Sequence, residues 1–191
     1  YGGWENGPEL KATGRFRVEK YEGKWWFVDP GGKLFWSNGF DCVEFGRQTQ
    51  TRVTGRESFF SYLPTENSPG SALYATMGNE NNIVKNLSFH LVNLYRKYGD
   101  NWKEKAFDQI HRRLHSWGFN TIGNWSDSEI YLYRKTPYVL TINSKRTGQI
   151  ADPYLPGFRE YLLESLTTGK EELDDPWCIG VFIDNELKWG V

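Results

Sequence analysis

The sequence predicts an α/β protein, a small antiparallel meander leading into a parallel sheet whose strands alternate with helices. Three observations predict it. Residues 14–40 hold closely spaced strand-like runs separated by turn signals. From residue 86 onward, helical periods alternate with short apolar runs. The last two of those runs, Tyr138–Ile142 and Cys178–Ile183, are almost unbroken apolar stretches. Strands buried on both faces of a parallel sheet have that pattern.

The elements follow in order. Arg15-Phe16-Arg17-Val18-Glu19-Lys20 alternates charged and apolar side chains, the period of a half-buried strand. Glu22-Gly23 turns the chain into Lys24-Trp25-Trp26-Phe27-Val28, and Asp29-Pro30-Gly31-Gly32 turns it again into Leu34-Phe35-Trp36. Residues 44 to about 85 are rich in Gly, Ser, Thr, Asn and Pro without a sustained period, which predicts a long ordered loop. Leu87, Leu91, Leu94 and Tyr98 share one face and predict a helix over 86–98, stopped by Gly99. Asn101 and Glu104 resemble a capping box for a second helix, whose stripe is Ala106, Phe107, Ile110, Leu114 and Trp117. Beyond Gly118 come a short strand at 119–123, a helix over 127–133, the strand at 138–142, a helix from Phe158 to Leu166 and the strand at 178–183. No internal repeat is present.

Composition narrows the function. The 191 residues are enough for a real core, and 23 basic against 24 acidic side chains leave a net charge of −1. The basic footprint of a nucleic-acid binder is absent. No run approaches the apolar length of a membrane-spanning helix. The N-terminus has no charged segment followed by an apolar run, so no signal peptide is expected, although a processed secreted chain would look the same. No GxGxxG or phosphate-binding glycine loop occurs, and neither a cofactor nor a metal is expected. Aromatic residues make up 17% of the chain, with nine Trp. They serve either a bulky core or the flat apolar faces of sugar rings.

The most informative stretch is Asp184-Asn185-Glu186, three polar residues directly after a buried strand. Ligands of α/β proteins bind at the carboxyl ends of parallel strands. There an amide can hold a substrate hydroxyl and a carboxyl can shuttle a proton.

Several segments carry a resemblance. They are Lys24–Pro30 with Leu34–Gly39, Ser116–Asp127 (SWGFNTIGNWSD), Asp152-Pro153 with Phe158-Arg159, and Trp177–Leu187 (WCIGVFIDNEL). In this order they resemble the β-agarase-like members of the clan A retaining glycoside hydrolases, over roughly residues 12–191. The resemblance implies the first half of a (β/α)8 TIM barrel, with strands at 34–41, 119–124, 137–142 and 178–184. It divides the chain into a meander at 1–33 and four βα units at 34–191. It implies a retaining glycosidase acting on a galactan-type polysaccharide such as agarose. Glu186 is then the acid and later the base, and Asn185 binds the hydroxyl beside the anomeric carbon. Trp125 and Asn124 belong to the substrate-binding loop after the second strand, and Asp41 and Glu44 reach sugar hydroxyls after the first. The nucleophile of such enzymes stands on strand seven, and no Asp or Glu here matches its motif. The chain therefore reads as a fragment, inactive alone, with the rest of the barrel on the same or a companion chain. The parent is expected to be a secreted or periplasmic bacterial protein. The alternative is a carbohydrate-binding or scaffold protein derived from such an enzyme.

Other features have plainer readings. His111 and His115 are four apart, but Arg112 and Arg113 lie between them and no Glu follows His111, so a solvated helix flank is expected. Cys42 and Cys178 are expected to be reduced and buried. Asn86 and Asn124 open glycosylation sequons. Arg47, Arg52 and Arg56 either meet an anionic sugar or pair locally.

Overall fold

Alternation and turn chemistry build the first sheet. In the computed structural model, which describes residues 1–45, 49–65, 68, 74–77, 84–143 and 152–187, β1 (Arg17–Tyr21) pairs antiparallel with β2 (Lys24–Val28). The two-residue turn between them has Glu22 at φ 46° and Gly23 at φ 79°. Positive φ at both central residues matches the twist of a hairpin. β2 then pairs with β3 (Leu34–Phe35) across Asp29–Gly32. Asp29 is buried there and accepts the Lys33 N–H at 2.9 Å. Gly32 sits at φ 93°, where an added Cβ would stand 2.2 Å from the Leu10 carbonyl oxygen.

The second sheet is all parallel. Its spatial order repeats the chain order: β4 (Gly39–Phe40), β8 (Thr121–Ile122), β9 (Tyr138–Ile142) and β10 (Cys178–Ile183). Gly39 pairs with Thr121, Ile122 with Tyr138, and Ile183 with Ile142. The mixed α/β class is therefore as expected, but the first expected strand is not continuous over 34–41. Leu34–Phe35 belongs to the meander and Gly39–Phe40 to the parallel sheet. The Asn120 carboxamide fills the break, donating to the Trp36 carbonyl (3.0 Å) and accepting the Asn38 N–H (2.9 Å).

Helices connect the parallel strands. α2 (Trp102–Ser116) precedes β8, while α3 (Phe158–Thr168) and α4 (Lys170–Asp174) lie between β9 and β10. The predicted 127–133 helix is a short 3₁₀ turn, Ser128–Tyr133, capped by the Asp127 carboxylate on the Glu129 N–H. Arg15 donates to the carbonyls of Leu173 and Asp174 at the end of α4 (2.9 and 3.1 Å). Before β10 the buried Asp175 accepts from Arg134 Nε (3.1 Å) and from the Trp177 N–H (3.0 Å).

Two compact units divide the chain, Tyr1–Val43 with His111–Val191, and Glu44–Ile110. The second unit overturns the expectation that 44–85 is a long ordered loop without strands. It holds an antiparallel sheet of β5 (Gln50–Arg52), β6 (Tyr74–Met77) and β7 (Val84–Ser88), in the order β5-β7-β6. These strands are short and carry polar residues, so their stability comes from pairing across long separations, such as Gln50 with Ser88. β7 also displaces the predicted helix start. α1 (Phe89–Tyr98) begins after Ser88, whose hydroxyl accepts the Leu91 N–H. Val53, Leu87 and Val92 form its core with Phe60, Leu63 and Phe89 packed against them.

The first unit's core includes Val28, Leu34, Phe35, Ile122, Ile130 and Tyr138. Tyr131 stacks on Tyr138 with centroids 4.1 Å apart and planes 4° off parallel. Burial pushes the Tyr131 hydroxyl up to about 12, and burial also raises Tyr138. A phenol raised in the folded state stabilises the fold fully below its unfolded pKa of about 10, and that stabilisation is lost as pH rises through the folded value. For Tyr131 this amounts to about 2–3 kcal/mol lost between roughly pH 10 and 12. Urea melts across that range should show the decline, and Tyr131→Phe should remove its share. A flat wild-type profile would contradict it.

β10 departs from expectation. Its run of apolar residues is not buried: Val181, Phe182 and Ile183 are all exposed. β10 is the outermost strand of its sheet among the described residues. β9 is buried at Tyr138 and Ile142 and half-buried between them.

Candidate active site

The backbone ladder continues past the carboxyl ends of the strands. Gly123 N–H donates to the Phe40 carbonyl (2.7 Å), Cys42 N–H to the Asn124 carbonyl (2.8 Å), and Asp127 N–H to the Val43 carbonyl (3.0 Å). Ser126 Oγ accepts the Val43 N–H (3.0 Å) and donates to the Gly123 carbonyl (2.8 Å). Asp41 accepts the Asn124 N–H at 2.8 Å. Gly123 leaves room for that carboxylate, since a Cβ there would lie 2.1 Å from Asp41 Oδ1. The loops after β4 and β8 are thus joined into one layer.

Asn124 is the node of this layer. It is only 7% exposed, and its Oδ1 accepts both the Trp125 N–H (2.9 Å) and the Thr141 hydroxyl. Trp125, by contrast, is 48% exposed and holds φ at 55°. That conformation costs a bulky side chain about 1–2 kcal/mol. Four of the six described non-glycine residues with positive φ follow parallel strands: Cys42, Trp125, Asp184 and Glu186. Strained backbone concentrates where a fold holds side chains for a purpose, and here it concentrates at one edge of one sheet.

After β10, Asp184 N–H donates to the Ile142 carbonyl (2.8 Å) and anchors the turn. Asn185 and Glu186 follow, both exposed, with Glu186 at φ 46°. Among the described residues their side chains make no hydrogen bond and no ion pair. An exposed carboxyl and an exposed amide therefore stand at the same edge as the Trp125 indole, able to receive a ligand's hydroxyls and its proton.

The predicted residues thus divide. Asp41, Asn124, Trp125, Asn185 and Glu186 all stand at the carboxyl edge of the parallel sheet. Glu44 is half-buried and belongs to the second unit. Sequence reasoning missed Thr141. Its signal was visible, as the one aliphatic hydroxyl in the apolar run Tyr138-Val139-Leu140-Thr141-Ile142. A groove of about 320 Å³ beside β9 and α3, with Tyr161, Ser165 and Glu172 in its wall, is lined by none of the predicted residues.

Other expectations are corrected. His111 is not solvated. It is buried, its Nδ1 lies 2.8 Å from Thr136 Oγ1, and the same hydroxyl is 3.2 Å from Nε2 of the exposed His115. Helical period placed His111 one turn from Leu114 but did not show that the segment before β9 would cover it. Both cysteines are free thiols as expected, yet Cys42 is exposed, in the turn after β4 with φ at 56°. Cys178 is half-buried, and burial raises its thiol. Arg52 donates to the Thr54 carbonyl (3.3 Å) and Arg56 lies over the Phe59 ring, so both have local partners; Arg47 falls outside the described residues. Among the described residues no group of three or more His, Cys, Asp or Glu could hold a metal ion.

The fold and the site define an α/β protein with a polar, strained and partly aromatic edge at the carboxyl ends of its parallel strands. Comparison with known proteins shows what the chain is similar to. The chain is homologous along its whole length to β-agarases. It is 34% identical to β-agarase B of Vibrio sp. (strain JT0107), with all of this chain and 24% of the relative covered. It is 27% identical to β-agarase A of the same strain, with 88% of this chain and 19% of the relative covered. The chain thus spans a quarter or less of the length of these relatives. Among solved structures, the agarase AgWH50C superposes with a TM-score of 0.86 at 32% identity, over 99% of this chain and 32% of that one. An exo-β-agarase superposes with a TM-score of 0.76 at 26% identity, over 96% of this chain and 33% of that one. No protein-family model matches the chain.

Proposed function

We propose that this chain carries the acid/base-bearing half of the catalytic barrel of a retaining glycoside hydrolase of clan A type that cleaves agarose. The single observation that carries the reading is the exposed Asn185-Glu186 pair, without side-chain partners among the described residues, at the end of β10 in a chain homologous throughout to β-agarases. In this reading Glu186 protonates the glycosidic oxygen as the bond to the anomeric carbon breaks. A carboxylate from elsewhere in the polypeptide attacks that carbon and forms a glycosyl-enzyme. Glu186 then takes a proton from water, which displaces the carboxylate and restores both groups. Asn185 holds the hydroxyl next to the anomeric carbon, and Trp125 offers its indole to a ring face.

The four strands are read as the first half of a (β/α)8 barrel. The chain-ordered parallel sheet and the exposed outer strand β10 support this. The 191 residues alone would then lack the nucleophile and hydrolyse nothing. Because a polysaccharide is met outside the cell, the parent protein is read as secreted or periplasmic. The test is ¹H NMR of the first sugar released from agarose oligosaccharides by the full-length polypeptide. A β-anomer formed first is expected. An α-anomer formed first would overturn retention, and no hydrolysis at all would overturn the function.

A further inference from the structure

Trp125 is an exposed indole in a backbone conformation that tryptophan disfavours, so something must hold it there. Its own N–H is tied to Asn124 Oδ1 at 2.9 Å. A carboxamide can rotate, and a single contact would not fix it. Three further bonds do. Thr141 Oγ1 donates to the same Oδ1, while the Asn124 backbone N–H donates to Asp41 (2.8 Å) and its carbonyl accepts the Cys42 N–H (2.8 Å). Thr141 is the only one of these partners that reaches across from β9, the strand on the far side of β8 from β4.

We infer that Thr141 is a positioning residue for the sugar platform: its hydroxyl fixes the Asn124 carboxamide, which in turn holds the Trp125 backbone so that the indole faces the substrate. Asn124 then serves the site through its carbonyl oxygen on the protein side, with that oxygen already engaged by two donors. The inference rests on the proposed sugar-binding role of Trp125, and the experiment separates the two.

In the full-length polypeptide, Thr141→Val removes the hydroxyl at nearly constant shape and Thr141→Ser keeps it. Two quantities are read, amide hydrogen exchange at Trp125 and the KM and kcat for agarose oligosaccharides. Losing one such hydrogen bond corresponds to about a fivefold effect. Thr141→Val should therefore speed Trp125 exchange and raise KM about fivefold with kcat nearly unchanged. Thr141→Ser should restore both. In a Trp125→Ala background Thr141→Val should raise KM no further. Unchanged exchange at Trp125 in Thr141→Val would overturn the tether. A KM increase that persists in the Trp125→Ala background, or a fall confined to kcat, would overturn the route through Trp125. If Trp125→Ala alone leaves KM at the wild-type value while Thr141→Val still speeds exchange, the tether stands and the sugar-stacking reading of Trp125 fails.

Discussion

Glu186→Gln in the full-length polypeptide is expected to lower turnover on agarose by about 10²–10⁴-fold, the usual worth of a positioned proton donor. Glutamine keeps the shape and hydrogen-bonding reach of the side chain but has no proton to give. The loss should therefore track the leaving group. Cleavage of a poor alcohol leaving group should collapse, whereas a substrate with an acidic phenol leaving group departs without protonation and should retain its first step. The second step, in which Glu186 is proposed to act as base, should then limit turnover and let the glycosyl-enzyme accumulate. Folding should be untouched, within about 0.5 kcal/mol, because the residue is exposed and makes no side-chain bond among the described residues. Wild-type turnover on agarose in this variant would remove Glu186 from the mechanism.

Gly39→Ala is expected to have the largest effect on stability. Gly39 is the residue of β4 that pairs with Thr121 of β8. A Cβ there would stand 1.9 Å from the Thr121 carbonyl oxygen and 2.6 Å from its carbonyl carbon. Both are backbone atoms of the neighbouring strand, so no rotamer change relieves the clash. The strands must separate, and the layer built on them, from Asp41 to Asn124 and Trp125, moves with them. A cost of about 3 kcal/mol or more follows, which lowers Tm by roughly 6–12 °C in a chain of this size. Gly180→Ala is the control: nothing lies within 4 Å of its added Cβ, and its φ is not positive. If the two variants melted together, the tight approach of β4 to β8 would be wrong.

How much of this was legible depends on range. The hairpin at Glu22-Gly23, the turn at Asp29–Gly32 and the helix face of Ala106, Phe107 and Leu114 rest on neighbours within a few residues, and the structure has them where the pattern placed them. The parallel strands at 138–142 and 178–183 were legible because mostly apolar runs of five or six residues match the length of a strand and are too short for a helix. Asp184-Asn185-Glu186 was legible for the same reason, as a polar triplet that ends such a run. The sheet of β5, β6 and β7 was not, because polar strands of three to five residues carry no periodic signal and are stabilised by partners such as Gln50 and Ser88.

Sequence alone determined the meander's turns, the alternation of helices and strands after residue 100 and the polar residues that follow the last strand. Those properties follow from side-chain period and turn chemistry, which act over one or two turns of chain. Only the tertiary structure decided which of those polar groups face solvent and which serve the scaffold. Asn124 and Glu186 look alike in the sequence, each a polar residue after a strand. In the fold Asn124 is buried and bonded to Thr141, 17 residues away, while Glu186 is exposed. His111 is covered by Thr136 from 25 residues away, and β10 is apolar yet uncovered. Burial depends on what packs across the gap, and a local pattern of polarity carries no record of that partner.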